Sequence, residues 1–384
     1  VSEYKPHVVL HIGSSKTGST ALQTACRKHS KALLAAGVLY PEVRSHPVSH
    51  HFLGMLVRPV DEQARAYGGA FADSPDLLRA DFISQWRSVQ RQVQRLRPKV
   101  LLLSSETLFI LPQPEGAEQL RLLLEDIAGS LEIVAYIRRP SAFYLSRVQQ
   151  DLKHSGAFVP PGPVLFREVI ESWERLLKAP VKVAAFARES LLDGDIFRDF
   201  VSRYLPQVNL TSALVADQEN QTLSAELMAL LQDYHRTNHP HPRRWGVEDS
   251  RRFRLLLQKI DHQDQGFRRP QLRADLVKYI DCCSTDLLWL ESRYGVRFVG
   301  LDMALVGTVE HGLFAGLDKV CELCEVDSVR KERMLLLAMH KLLRPRFKLP
   351  GLLDRWRARY LNSAVLRILR RLLLPLRRKF NAWL

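Results

Sequence analysis

A lysine inside a glycine-bracketed turn is the first group in this chain whose type and setting point to chemistry. The stretch Gly13-Ser-Ser-Lys16-Thr-Gly18-Ser-Thr20 follows the apolar run His7-Val-Val-Leu10 and precedes a helix-like run that begins Ala21-Leu-Gln23. Strand, glycine turn, helix is an order that aims backbone N–H groups and a helix N-terminus at one point, which suits a phosphate. The usual nucleotide pattern is G-x-x-x-x-G-K-[ST]. Gly13 and Gly18 have that separation, but Ser19 stands where the lysine belongs, and the lysine lies inside the turn at Lys16. The spacing therefore predicts a phosphate site that departs from the ATPase and GTPase pattern.

Two further segments carry chemistry. Ser104-Ser-Glu106 closes the apolar run Val100–Leu103, and Arg138-Arg139-Pro140 closes the run Leu131–Ile137. His50 and His51 are adjacent, and His11 ends the first apolar run. We read His11 as support for the turn. His235, His239 and His241 lie among prolines and arginines and read as a polar surface or substrate loop. Cys321-x-x-Cys324 has no second pair near it, so packing is expected there rather than zinc or redox chemistry.

These groups need elements to position them. Apolar periodicity predicts strands at Val8–Ile12, Val38–Tyr40, Val100–Leu103, Leu131–Ile137 and Val181–Phe186. It predicts helices at Thr20–Ala36, Leu77–Leu96, Glu115–Ile127, Ser141–His154, Val164–Leu176 and Asp195–Tyr204. This alternation implies an α/β fold with a mainly parallel sheet, and in such a sheet ligand groups collect beyond the C-terminal strand ends. The turn, Glu106 and Arg138–Arg139 all fall there. Beyond about residue 210 the pattern is helical, with helices expected at Ala225–Tyr234, Ser250–Ile260 and Gln271–Tyr294 and a late strand at Val296–Phe298. The expected division is a catalytic core over 1–210, a helical part of the same domain over 211–329 that covers cofactor and acceptor, and a tail over 330–384.

The block His11-Ile-Gly-x-x-Lys16-Thr-Gly-Ser-Thr20-x-Leu-Gln23 resembles the 5′-phosphosulfate loop of sulfotransferases that use 3′-phosphoadenosine 5′-phosphosulfate (PAPS), above all bacterial members. Tyr136-Ile-Arg138-Arg139-Pro140-Ser-Ala-Phe-Tyr-Leu-Ser146 resembles their 3′-phosphate motif: an arginine at a strand end, a proline two residues on, and a serine eight residues after the arginine. The resemblance covers roughly residues 7–205 and implies a P-loop-like three-layer fold. It implies PAPS as cofactor and PAP as product, held by Ser15, Lys16, Thr17, Gly18, Ser19, Thr20, Arg138 and Ser146. Lys16 is then the group that stabilises the leaving oxygen, and no metal is expected. Glu106 is the expected general base; in carbohydrate-modifying members a glutamate at this strand end serves so. His51 is a second candidate for proton transfer, and His50, His51 and Arg139 are candidates for acceptor contact. The resemblance implies a loop covering the adenosine, expected at 243–254. The implied acceptor is a hydroxyl of a carbohydrate or glycolipid. A small alcohol, phenol or lipid is the alternative acceptor; a P-loop kinase or a non-enzymatic peripheral membrane protein is more distant.

The net charge of +15 belongs almost wholly to the tail. From Arg330 to Leu384 there are 16 Lys or Arg and two acids, Glu332 and Asp354, so the rest of the chain is close to neutral. On a helix, Leu361, Val365, Ile368, Leu369, Leu372, Leu376 and Phe380 share one side, and Arg367, Arg370, Arg371 and Arg378 lie largely opposite. A basic amphipathic segment over 355–384 suits an anionic membrane surface. Docking on the protein itself or on a second copy, as a homo-oligomer, is the other use. Aromatic residues interleaved for base stacking are lacking, so nucleic acid is not the expected partner. No apolar run reaches the roughly 18 residues a spanning helix needs. The expected location is cytoplasmic, with peripheral attachment at the inner face of the membrane.

Overall fold

The computed structural model describes residues 4–44, 46–58, 75–209, 215, 222–239 and 248–343. Five strands form one sheet: β1 (His7–His11), β2 (Val38–Leu39), β3 (Val100–Ser104), β4 (Ser130–Ile137) and β5 (Val181–Ala185). Their order is β2-β3-β1-β4-β5, and every pairing is parallel. The main helices are α1 (Ser19–Lys28), α2 (Ser30–Ala35), α3 (Pro75–Leu96), α4 (Pro114–Ile127), α5 (Pro140–Leu152), α6 (Arg167–Leu177), α7 (Ile196–Tyr204), α8 (Ala225–Asn238), α9 (Glu248–Gln263), α10 (Ala274–Cys283), α11 (Asp286–Tyr294) and α12 (Ser328–Leu343).

Alternate strand residues point to opposite faces, and both faces are covered. Val8, Leu10, Leu101, Leu103, Ile133 and Ile137 pack with Phe82 and Trp86 of α3, Leu120 and Leu124 of α4, Trp173 of α6 and Leu287 of α11. Val9, Leu102, Val134 and Tyr136 pack with Leu22 and Cys26 of α1, Leu33 of α2, and Phe197 and Phe200 of α7. The result is the expected α/β fold in three layers. The strands end at different heights. His11 lies level with Ser104 of β3 and with Val134 of β4, so β4 runs on through Ala135, Tyr136 and Ile137 beside the chain leaving β1. Because β1 sits between β3 and β4 while the chain goes from β1 to β2, the β1 end is the switch point where such sheets form a crevice.

Several expected boundaries are corrected. The helix expected over Thr20–Ala36 breaks at His29, whose backbone is non-helical and whose ring stacks on Phe197 at 5.4 Å. The helix expected from Val164 starts at Arg167, because the Asp286 carboxylate accepts the Phe166 and Arg167 N–H groups and fixes the start there. Gln271–Tyr294 is two helices. Leu272 is drawn into a bridge with Cys324, and the chain turns at Ser284, whose hydroxyl bonds the Ile280 carbonyl. Val296–Phe298 forms no strand; Val296 and Phe298 are buried in irregular chain.

The chain divides into two compact units. One comprises Val1–Ser146, Pro161–Gln221 and Asp275–Ala315, and holds the sheet; the other comprises Arg147–Pro160, Thr222–Ala274 and Gly316–Leu384. This division cuts across the sequential boundaries at 210 and 329: the stretch with α11 returns to the sheet, and a short stretch near residue 150 joins the helical unit. In that helical unit α12 carries Arg330, which donates to Glu226 at 2.5 Å, Asp261 at 2.7 Å, Asp264 at 2.7 Å and the Ser224 hydroxyl at 2.9 Å. Residues 344–384, and with them the amphipathic face expected over 361–380, lie outside the described residues.

Candidate functional site

The turn after β1 is built from left-handed backbone. Gly13 (φ 60°), Lys16 (φ 68°) and Gly18 (φ 74°) all have positive φ. Glycine enters that region without strain, but lysine does so only where surrounding structure forces it, and such residues cluster at functional sites. Gly18 has a second reason to be glycine: a Cβ there would lie 2.8 Å from the Phe186 ring at the end of β5. Gly13 likewise lets the Glu106 backbone approach; a Cβ on it would lie 3.3 Å from the Glu106 Cα. The turn is braced from within by the Thr17 hydroxyl, which donates to the Ser14 carbonyl at 2.6 Å. Gly18 is the N-cap of α1, and no side chain caps that helix. Its first-turn N–H groups have no intrahelical partner and face whatever occupies the turn.

Arg138 leaves the projecting end of β4 and donates from Nη1 to the Lys16 carbonyl at 3.2 Å, across a sequence separation of 122 residues. Its guanidinium lies 6.0 Å from the Phe186 ring centroid. Burial pushes its pKa down, and no carboxylate opposes that shift. It stays charged regardless, since a guanidinium does not lose its proton in proteins. Ser15 and Thr20 are exposed on the turn, Ser19 and Thr17 are buried in it, and Ser146 is half-buried two turns into α5.

The β3 end meets the turn from the other side. The Ser105 N–H donates to the His11 carbonyl at 2.9 Å, which places Glu106 beside Gly13 at the start of a short helical turn, Glu106–Leu108. Glu106 is half-buried. Below it the Ser104 hydroxyl lies 2.8 Å from His11 Nδ1 and accepts from Gln23 Nε2 at 3.2 Å, tying β1, β3 and α1 together. Burial pushes the His11 pKa down to about 3, so the ring is neutral and supports the turn, as expected.

The two adjacent histidines part company. His50 is fully buried; its Nε2–H donates to the Pro41 carbonyl at 3.1 Å, and Nδ1 accepts the Ser104 N–H at 3.0 Å. Both nitrogens are used by backbone, and burial lowers its pKa to about 4, so acceptor contact through His50 is withdrawn. His51 is half-buried, with Nδ1 3.3 Å from the Ser105 hydroxyl, which in turn lies 2.7 Å from the Thr107 hydroxyl. Burial first, then the charges of His46 and Arg58, lower its pKa to about 4. The ring is neutral at pH 7 and adjoins the Glu106 turn.

Arg139 is also withdrawn as an acceptor contact. It donates from Nε to Asp281 at 2.7 Å and from Nη1 to the Val299 carbonyl at 3.1 Å. The same Asp281 accepts the Ser141 N–H at 2.8 Å and its hydroxyl at 3.0 Å, fastening the start of α5. Sequence reading missed Asp281 and the packing of Phe186 on Gly18; each is a lone residue without a motif, recognisable only by what it touches. Of the 243–254 segment, only 248–254 is described, and it belongs to α9. Cys324 is buried and Cys321 exposed, and they form no disulfide. Among the described residues, no helix is long and apolar enough to cross a membrane, and no group of three or more His, Cys, Asp or Glu is placed to hold a metal ion.

The turn, Arg138 and Glu106 thus meet at the C-terminal ends of β1, β4 and β3. No left-handed lysine or bare helix N-terminus is needed for packing alone, so the cluster is the best candidate for a site that holds an anion. No family model matches the chain, and no curated protein or solved structure matches it either.

Proposed function

We propose that this protein is a PAPS-dependent sulfotransferase that modifies a hydroxyl of a carbohydrate or glycolipid. The observation that carries the reading is the meeting of Lys16 and Arg138 across the β1–β4 edge. The fit to such a donor rests on three features: a helix N-terminus without a side-chain cap, a Gly18 backbone kept bare by Phe186, and a part-buried guanidinium with no carboxylate partner among the described residues. An ATP-type loop would put its lysine at position 19, where this chain has serine. PAPS would supply a sulfuryl group that passes in line to the acceptor oxygen, with PAP released.

The chain's own groups divide the work. The N–H groups of Thr17, Gly18, Ser19 and Thr20, with the exposed Thr20 hydroxyl, hold the 5′-phosphate. Ser15 lines the same turn, and Arg138 with Ser146 holds the 3′-phosphate. Lys16 places a positive charge where negative charge grows on the leaving oxygen, the kind of preorganised electrostatic help that dominates group transfer. Glu106 accepts the proton of the acceptor hydroxyl. His51, neutral at pH 7, positions the Ser105–Thr107 hydroxyl pair around Glu106 rather than carrying a proton itself.

The test is transfer of labelled sulfate from PAPS to a panel of polysaccharides and glycolipids, read by mass shift. Transfer by the parent protein, falling ~10²–10⁴-fold in Glu106→Gln with PAP affinity kept, is the expected result. No transfer to any acceptor together with no PAP binding would reject the reading.

A further inference from the structure

The helical unit carries a second cluster of nitrogen groups, and it has no acceptor to match. His235 and His239 stand four residues apart at the C-terminal end of α8, with ring centroids 5.8 Å apart. Tyr234 contacts both rings, at 5.4 and 5.6 Å, and packs tilted against Phe253 of α9 at 4.6 Å. Arg254 follows Phe253. Three side-chain atoms here are buried without a hydrogen-bond partner: His235 Nδ1, His239 Nε2 and Arg254 Nε. His235 is only 2% exposed, and its other nitrogen is bonded to the Lys153 backbone.

Among the described residues, the charged neighbours that act most on these groups are all basic. The neighbours that act on His235 are His239, His154 and Arg254; those on His154 are Arg254 and Lys153; that on Arg254 is Arg251. No carboxylate figures among them. A buried guanidinium N–H is a donor that cannot be switched off, and native folds rarely leave such a donor unmet. The same unit meets the donors of Arg330 with three carboxylates, so its chemistry for satisfying an arginine is present but is not applied to Arg254. A metal ion does not fit, because Arg254 would repel it and the described residues form no group of three metal ligands. Three buried, unpartnered nitrogens on two packed helices instead suit the oxygens of one compact tetrahedral anion.

We propose that His235, His239 and Arg254 form a binding site for a single phosphate or sulfate group, either free or as a monoester. Arg254 donates from Nε to one oxygen. An oxygen at His235 Nδ1 draws a proton onto that ring, because its Nε2–H is already committed to the Lys153 carbonyl. This site is built from residues of the helical unit and does not depend on the transfer chemistry.

The test uses the full chain carrying Lys16→Ala and Arg138→Ala, which removes both charged side chains from the turn after β1, so that any effect of a further substitution reports on the second site. Inorganic phosphate and glucose 6-phosphate are titrated separately by calorimetry. Saturable binding of at least one of them is expected, and Arg254→Met in that background should weaken it by at least about tenfold. Tighter phosphate assigns the site to the free ion, and tighter glucose 6-phosphate assigns it to a monoester. Ring resonances of His235 and His239 in the parent protein give a readout independent of the substitution; phosphate should move both and protonate His235 Nδ1. Neither ligand binding, equal binding by Arg254→Met, or unmoved ring signals would overturn the proposal.

Discussion

Two arginines, one in each unit, show how the same side chain serves two ends. Arg330 is 3% exposed and is met by Glu226, Asp261, Asp264 and Ser224, so its donors are consumed by the protein. Burial alone would lower its pKa, but the hydrogen bonds it donates to Asp261 and Asp264 outweigh that and raise it. Arg138 is also pushed down by burial, yet nothing acidic pulls it back; it bonds a backbone carbonyl and lies against a ring. A saturated arginine fastens helices. An arginine with donors to spare, beside a strained lysine and an uncapped helix, is arranged for an anion from outside.

If that contrast is right, substitutions should separate stability from function. Arg330→Ala should cost about 3–5 kcal/mol, because it leaves Glu226 and Asp261 buried without their cation; chemical denaturation of the full chain measures it, and a cost below about 1 kcal/mol would break the contrast. Lys16→Ala should lower kcat by roughly 10²–10³ in the transfer assay while circular dichroism stays unchanged, the size of effect seen when a preorganised charge is removed from a transition state. Unchanged turnover would reject its role.

Acid should weaken the sheet unit through His11 and His50. Their folded pKa values, about 3 and about 4, lie below the ordinary 6.5. The unfolded chain therefore takes up protons first as pH falls, so their cost is absent above about pH 6.5 and grows down to the folded values. At pH 5 each should remove about 2 kcal/mol relative to pH 7. Denaturation at the two pH values checks this, and His50→Gln should shrink the difference by about 2 kcal/mol. The smallest effect is expected from Arg138→Ala, within about 1 kcal/mol of the parent stability, since no carboxylate is left without a partner. A loss as large as that of Arg330→Ala would make Arg138 a structural residue.

The parallel sheet was legible because its strands are mainly apolar runs separated by amphipathic helices, each a local signal. The turn was legible for the same reason: Gly13, Lys16 and Gly18 lie within six residues. What sequence could not reveal were partners far along the chain. Arg139 looks like a substrate group until Asp281, 142 residues away, takes its Nε. His50 and His51 look alike until the Ser104 backbone, 54 residues away, claims one of them. Helix ends were misjudged where a remote side chain sets them, as Asp286 does for α6.

Calorimetric titration with PAP tests the central claim most directly. Single-site binding by the parent protein, weakened at least about tenfold in Arg138→Ala with stability retained, is the predicted result. No binding by the parent protein, or equal affinity in Arg138→Ala, would contradict the account.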